Sequence, residues 1–149
     1  MKSEKIDIHD RIYKFVIRVI NFTKKLPKNQ QNLVIIPQIV ASATSMGAND
    51  READGALSKK QFVSSYTIVR REGKETYYWL NVIRDTNSFM GDENEYLLKE
   101  GKEIVLIVSS IITGFSGAGS GVGTALPLAG TIEFAPKTVQ DNFSSTFLG

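Results

Sequence analysis

Residues 59–83, KKQFVSSYTIVRREGKETYYWLNVI, carry the clearest helical pattern of this chain. Within them, apolar or small residues recur with alternating steps of four and three: Phe62, Tyr66, Val69, Gly73, Thr76, Leu80 and Ile83. This spacing of about 3.5 residues keeps one seam of an α-helix facing a partner helix. The stretch therefore predicts an amphipathic helix of about 28 to 30 residues, roughly 45 Å long.

Three more runs repeat this spacing on either side of the stretch. They are Ile8, Ile12, Phe15, Val19, Phe22 and Leu26; Leu33, Ile36, Val40, Ala43 and Gly47; and Leu97, Gly101, Ile104, Val108, Ile111 and Phe115. Helical runs joined by short connections are typical of antiparallel neighbours in a bundle. We therefore predict an all-α, up-down-up-down four-helix bundle within a domain of residues 1–115.

The residues between the runs resemble helix ends. Pro27 follows two lysines, which suit a helix C-terminus. Ser58 and Gln61 have the spacing of a capping box at the start of the third run. Gly91 lies in the polar segment before the fourth run. These positions predict where the helices begin and end.

Two runs depart from a simple amphipathic helix. Pro37 falls inside the second run, where it removes a backbone donor and predicts a kink or the true start of that helix. The fourth run is apolar beyond its stripe, and a helix that is apolar on several faces is usually buried on several faces. We therefore predict that the chain forms oligomers through its surplus apolar residues. These are Val34, Ile35, Val63, Val105, Ile107 and Ile112.

The stretch SATSMGANDREAD, residues 42–54, ends the second run with small residues and an Asn-Asp pair. Glycine inside a helix is less favourable than alanine by about 1 kcal/mol, so Gly47 indicates a close approach between helices. We predict that an aromatic ring from the start of the third helix fits against it. Asn49 and Asp50 are predicted to be buried or half-buried polar groups that hold the helix end and the connection to the third helix through hydrogen bonds.

The composition excludes several classes of protein. The 149 residues are 42% hydrophobic and 23% charged, as in soluble globular proteins. No apolar run approaches the roughly 20 residues that span a bilayer, and the charged N-terminus lacks the apolar segment of a secretory signal. The absence of cysteine excludes disulfides and thiolate chemistry. We therefore expect a cytoplasmic protein with no membrane contact.

The composition changes after Phe115. Residues 116–123, SGAGSGVG, are typical of a flexible linker, and residues 124–149 show no helical periodicity. We predict an extended, non-helical C-terminal tail. It is either a native extension that docks on the bundle or on a protein partner, or an engineered fusion. Its candidate anchors are Phe134, Phe143, Phe147 and Leu148.

Candidate catalytic and metal-binding groups are few. His9 is the only histidine and is predicted to be an ordinary surface residue in the first helical turn rather than a catalytic base. Glu72 and Glu75 lie three positions apart, where pairing with neighbouring basic residues is favoured over a metal site. Trp79 is predicted to pack in the core or at a subunit seam. We therefore predict no catalytic residue, no metal site and no cofactor, and a protein that is not an enzyme.

Basic side chains form three groups that could contact RNA or DNA. They are Lys24, Lys25 and Lys28; Lys59 and Lys60; and Arg70, Arg71 and Lys74. In an oligomer such patches repeat as a ring, and their phosphate contacts add through counterion release. No aromatic residues interleave with the lysines as stacking platforms for single strands would require. Solvated helix faces are therefore the favoured interpretation of these groups, and the net charge of +2 does not by itself predict nucleic-acid binding.

Residues 42–87 resemble the bacterial four-helix-bundle family first noted as open reading frames within 23S ribosomal RNA intervening sequences. The matching motifs are Ser42-Ala-Thr-Ser-Met-Gly-Ala-Asn49, Glu52-Ala53, Ser58-Lys-Lys-Gln-Phe62, Arg71-Glu72, Lys74-Glu-Thr76 and Tyr78-Trp-Leu80. The resemblance is weaker across residues 7–115 and does not include the tail. It implies an antiparallel bundle, assembly as a homopentamer and no established enzymatic activity. Nucleic-acid binding is also implied, partly by similarity to a pentameric accessory variability protein of diversity-generating retroelements, which works with a reverse transcriptase and RNA.

This chain departs from the family pattern at several charged positions. Ala41 replaces a residue that is often basic, and Gln61, Ser64 and Ser65 replace charged residues. The lower surface charge argues against strong electrostatic binding to nucleic acid. Two hypotheses follow: an oligomeric scaffold or accessory protein that contacts nucleic acid weakly, and an interaction module, natural or engineered, whose tail docks on a protein partner.

Overall fold

The computed structural model describes residues 7–88 and 91–117. They form four α-helices: α1 (Ile8–Thr23), α2 (Gln30–Asp54), α3 (Lys59–Thr86) and α4 (Gly91–Gly117). Consecutive helices pack against each other, and α1 packs against α4, which closes an antiparallel up-down-up-down bundle. The predicted four-helix fold is therefore confirmed. The predicted linker and tail lie outside the described residues from residue 118 onward, and α4 includes the first two residues of that linker.

Side-chain caps begin the first three helices. The Asp7 carboxylate accepts hydrogen bonds from backbone N–H groups in the first turn of α1. The Asn29 side chain accepts from the N–H of Asn32 at the start of α2. Ser58 accepts from the N–H of Gln61 at 3.2 Å, as the capping spacing predicted. These caps satisfy backbone donors that have no partner within the helix.

The predicted stripes of α1 and α3 are buried throughout, and that of α4 is buried as far as Ile111. The stripe predicted for α2 is wrong by about one position. Leu33, predicted in the seam, is 60% exposed, whereas the apolar core positions of this helix are Ile35, Ile39, Ala43, Met46 and Ala53. The helix continues through Pro37, which lies on its exposed side. Because α2 is apolar on several faces, its periodicity does not distinguish the core side from the solvent side.

The surplus apolar face of α4 packs within the same chain. Val105 is 1% exposed and Ile112 is 8% exposed, as is Ile35 of α2. The structure therefore corrects the prediction that these three residues offer an apolar surface to another subunit. Although α4 is rich in apolar residues, no helix within residues 7–88 and 91–117 is long and apolar enough to cross a membrane.

Two buried glycines let helices approach closely. A Cβ atom on Gly73 would lie 2.8 Å from Cγ2 of Val105, so a side chain on residue 73 would require Val105 or the helices to shift. A Cβ atom on Gly101 would lie 3.0 Å from Cζ of Phe15, which seats that ring of α1 on the backbone of α4. Each glycine weakens its helix by about 1 kcal/mol relative to alanine, and the close packing offsets that loss.

A buried amide pair joins α2 to the C-terminus of α3. Nδ2 of Asn32 donates to Oδ1 of Asn87 at 2.9 Å and to the carbonyl of Pro27 at 2.8 Å. Nδ2 of Asn87 donates to the carbonyl of Ile83 at 3.1 Å. Buried polar groups need such partners, so this pair holds the α1–α2 connection against the end of α3.

Candidate functional site

A polar cluster joins three helices at the end of the bundle where α1 begins and α2 ends. Nδ1 of His9 lies 2.9 Å from Oδ1 of Asp50, and its Nε2 lies 3.5 Å from Oδ1 of Asp54. The phenol of Tyr66 on α3 donates to the same oxygen of Asp50 at 3.2 Å. Asp50 is 1% exposed. The prediction that Asp50 is a buried polar group held by hydrogen bonds is therefore confirmed in detail.

His9 itself was predicted incorrectly as an ordinary surface residue. It does lie in the first turn of α1, but its side chain is only 12% exposed because it packs against α2. The antiparallel order places the start of α1 beside the end of α2. That order is the signal from which the acidic partners of a lone histidine could have been found.

Both titratable partners of Asp50 have perturbed pKa values. The hydrogen bond to Asp50 raises the pKa of His9 above its ordinary 6.5, against the opposing effect of burial. Burial, reinforced by the charge of Asp50, raises the pKa of the Tyr66 phenol, which therefore stays protonated at neutral pH. The cluster thus places a buried carboxyl group beside an imidazole whose protonated form is favoured and beside a neutral phenol that donates a hydrogen bond.

The remaining residues of the SATSMGANDREAD stretch hold α2 in place. Gly47 faces α1 rather than an aromatic ring of α3, since a Cβ atom there would lie 3.3 Å from Cγ2 of Val16. The Asn49 side chain is half-buried and donates to the carbonyl of Ser45 at 2.9 Å, within its own helix. The expectation of an aromatic ring against Gly47 is wrong because the rotation of α2 differs from the predicted one. The stretch provides close packing and the Asp50 anchor.

Glu72, Glu75 and Trp79 form their side-chain hydrogen bonds within α3. Oε1 of Glu72 accepts a hydrogen bond from Arg71 at 2.8 Å, and Oε1 of Glu75 accepts one from Nε1 of Trp79 at 3.3 Å. Trp79 is half-buried and packs against the core. Within residues 7–88 and 91–117, no group of three or more acidic or histidine side chains is arranged to hold a metal ion.

The predicted basic groups occupy different parts of the bundle. Lys24, Lys25 and Lys28 are exposed at the end of the bundle where α1 ends and α2 begins, and Lys25 pairs with Glu93. Lys59 and Lys60 are exposed at the opposite end of the bundle.

The third basic group lies along α3. Arg71 is exposed and pairs with Glu72, whereas Arg70 and Lys74 are half-buried. The three groups therefore do not form one continuous patch on a single chain.

An exposed apolar surface on α2 was not predicted as such. Six exposed residues lie along one side of the helix, and we call them the α2 face. They are Leu33, Val34, Pro37, Ala41, Thr44 and Ala48. Leu33 is 60% exposed and Val34 is 66% exposed. No charged residue occurs between Gln30 and Asn49. The uncharged run is visible in the sequence, but the sequence does not show which side of α2 faces away from the core.

Exposed apolar residues of α1 extend this surface. Tyr13 is 55% exposed and Ile17 is 41% exposed. They lie one turn apart, next to the side of α1 on which Val16 meets Gly47. Val63 and Ile107, predicted as interface residues, are half-buried and pack against the core of their own chain.

Comparison with known proteins gives a family match and similarity to solved structures. The family model of the 23S rRNA-intervening sequence protein matches residues 4–110. A crystal structure of a protein of unknown function, from the S23 ribosomal protein family of Bacteroides thetaiotaomicron VPI-5482, is 34% identical with a TM-score of 0.65. That match covers 71% of this chain and 95% of the other. No curated protein matches this chain. The family match spans α1, α2, α3 and α4 as far as residue 110, and the chain therefore belongs to the 23S rRNA-intervening sequence protein family.

Proposed function

We propose that the protein is a non-enzymatic scaffold that assembles as a homo-oligomer through the α2 face, with exposed lysines at the bundle ends able to contact RNA or DNA. The observation that carries this proposal is the exposure of Leu33 and Val34, at 60% and 66%, on a helix with no charge between Gln30 and Asn49. A helix that is apolar on several faces is typically buried on several faces.

A second copy of the chain is the occupant that best fits the α2 face. The face carries no charges that would select a partner of opposite charge, and symmetric self-association is the commonest way for soluble proteins to bury such a surface. Tyr13 and Ile17 of α1 enlarge the area. The family resemblance favours five copies.

The nucleic-acid part of the proposal rests on three exposed lysines. Lys28, Lys59 and Lys60 form no ion pair with any carboxylate among the described residues. A single chain with a net charge of +2 would attract phosphates weakly. Assembly multiplies each lysine by the number of subunits, and every phosphate that is neutralised adds to the binding through counterion release.

An enzymatic role is not part of the proposal. The only imidazole of the chain directs both ring nitrogens at the carboxylates of Asp50 and Asp54, so neither nitrogen is directed at an open cleft. A general base has to reach the proton that it abstracts from a substrate.

The mass of the assembly in solution tests the scaffold. Light scattering behind size exclusion should give an oligomer for the natural chain and a monomer for Val34→Glu, because charges on an apolar interface core are strongly unfavourable. Leu57→Glu is the matched control, since Leu57 is 92% exposed but lies outside the α2 face. Helical circular dichroism should be unchanged in both variants. A monomeric natural chain, or equal masses for the two variants, would contradict the proposal.

Salt-dependent binding tests the contact with nucleic acid. Fluorescence anisotropy of a labelled single-stranded RNA should rise with protein at low salt and fall as salt increases. The double change Lys59→Glu and Lys60→Glu should reduce the affinity, whereas Glu52→Gln, on the exposed part of α2, should not. Absence of binding by the oligomer at low salt would remove this part of the proposal and leave the scaffold intact.

A further inference from the structure

The single histidine of the chain occupies the point where α1, α2 and α3 meet. Its ring lies between two carboxylates of α2, and one of them, Asp50, also accepts a hydrogen bond from Tyr66 of α3. The proposed scaffold does not use this cluster, which lies within a single chain and does not depend on assembly.

We propose that His9 is a proton-controlled latch, which holds the first turns of α1 against the end of α2 when it is protonated and releases them when it loses the proton. The latch lies at the end of the bundle where α1 begins and α2 ends. The two helices that it joins also carry the α2 face and the exposed Tyr13 and Ile17 of α1.

The geometry favours a doubly protonated ring, because one ring nitrogen hydrogen-bonds to a carboxylate and the other lies within ion-pair distance of a second carboxylate. Nδ1 faces Oδ1 of Asp50 at 2.9 Å and Nε2 faces Oδ1 of Asp54 at 3.5 Å. A neutral imidazole has one N–H group, so it can donate to only one carboxylate, and the lone pair of its other nitrogen then faces a negatively charged oxygen. The imidazolium donates to Asp50 and forms an ion pair with Asp54. Loss of the proton therefore removes the attraction between one ring nitrogen and its carboxylate and replaces it with repulsion between the nitrogen lone pair and the carboxylate oxygen.

Burial makes the loss of that charge costly. Asp50 is 1% exposed, and an ionised carboxylate in such a position needs a charged or well-hydrogen-bonded partner. Without the imidazolium charge, the carboxylate keeps only the phenol of Tyr66 and a neutral ring. The least costly response is to let water reach Asp50, and this requires the first turns of α1 to move away from α2.

All charged groups around His9 favour its protonation. Asp7, the N-cap of its own helix, is one, and Asp50 and Asp54 of α2 are the others. From α3, the phenol of Tyr66 hydrogen-bonds to Asp50. In the described part of the chain, no residue of α4 forms a hydrogen bond or ion pair with the cluster.

These neighbours raise the pKa of His9 above 6.5, mainly through the hydrogen bond to Asp50. Because the folded pKa is higher than the unfolded one, the stabilisation is fully present below the unfolded value. It is lost as the pH rises through the folded pKa.

The uniqueness of His9 makes the latch directly measurable in the full-length, tag-free chain. The ring Cε1–H signal in an NMR titration should report a pKa above 6.5 without any assignment ambiguity. Hydrogen exchange of the amides in the first turns of α1, corrected for intrinsic rates, should show an opening constant that rises by up to tenfold per pH unit between 6.5 and that pKa and levels off above it. A pKa at or below 6.5, or an opening constant that is independent of pH, would overturn the proposal.

Variants separate the latch from general stability. Asp54→Asn removes one of the two carboxylates and keeps the buried one, so the pKa of His9 and the pH at which α1 opens should move down together, each unit corresponding to a tenfold change in the opening equilibrium. Glu52→Gln, an exposed carboxylate on the same turn of α2, is the matched control and should leave both unchanged. His9→Gln should abolish the pH dependence. Retention of that dependence in His9→Gln would refute the latch.

Discussion

Replacing Gly73 by alanine should destabilise the bundle, although alanine is the better helix former. A Cβ atom at this position would lie 2.8 Å from Cγ2 of Val105 and 3.5 Å from Cε of Met46. Valine on a helix has one strongly preferred rotamer, so Val105 cannot turn away without strain. The flexible Met46 side chain can adjust. The new methyl group must therefore push α3 and α4 apart.

The magnitude follows from two opposing effects. Alanine in place of glycine inside a helix stabilises it by about 1 kcal/mol. Insertion of a methyl group into a well-packed core destabilises by about 1–3 kcal/mol. The net loss in the free energy of unfolding should be about 0–2 kcal/mol, which lowers Tm by roughly 4 °C for each kcal/mol in a domain of this size.

Urea and thermal unfolding followed by circular dichroism, at equal protein concentrations, would measure this effect. Gly114→Ala is the control, because a Cβ atom there meets nothing within 4 Å and the helix should only gain stability. In a Val105→Ala background the obstructing methyl groups are absent, so Gly73→Ala should become stabilising by about 1 kcal/mol. If Gly73→Ala stabilises the natural chain as much as Gly114→Ala does, the close packing inferred here is wrong.

Two further substitutions test polar contacts between helices. Asn87→Ala should lower the free energy of unfolding by about 1–3 kcal/mol, because it leaves the buried Oδ1 of Asn32 without its donor and removes one of the two acceptors of its Nδ2. Asn81→Ala, which loses only a bond within its own helix, should change the urea midpoint much less. Arg11→Met should cost about 1 kcal/mol through its lost ion pairs with Glu100 and Glu103 of α4. That loss should shrink in 1 M NaCl, where the Debye length is about 3 Å, and an undiminished loss would indicate packing rather than charge.

Much of the fold could be predicted because its signals are local. The stripes of α1, α3 and α4, from Ile8 to Ile111, coincide with buried positions, and Ser58 caps α3 at the position that the capping spacing indicated. Helical periodicity and caps depend on residues within one or two turns of each other. For the same reason, the motifs between residues 42 and 87 were sufficient to indicate the family, which the match over residues 4–110 confirms.

Only the tertiary structure decided the rotation of α2 and the surroundings of His9. A helix that is apolar on several faces has no preferred side in its sequence, so the core side of α2 is selected by where Asn32, Ser42 and Asp50 find partners on other helices. That rotation buries Ile35 and exposes Leu33. It also turns Asp50 towards a histidine that lies 41 positions away in the chain. Such pairings are contacts between distant residues, and they form only when four helices pack around one core.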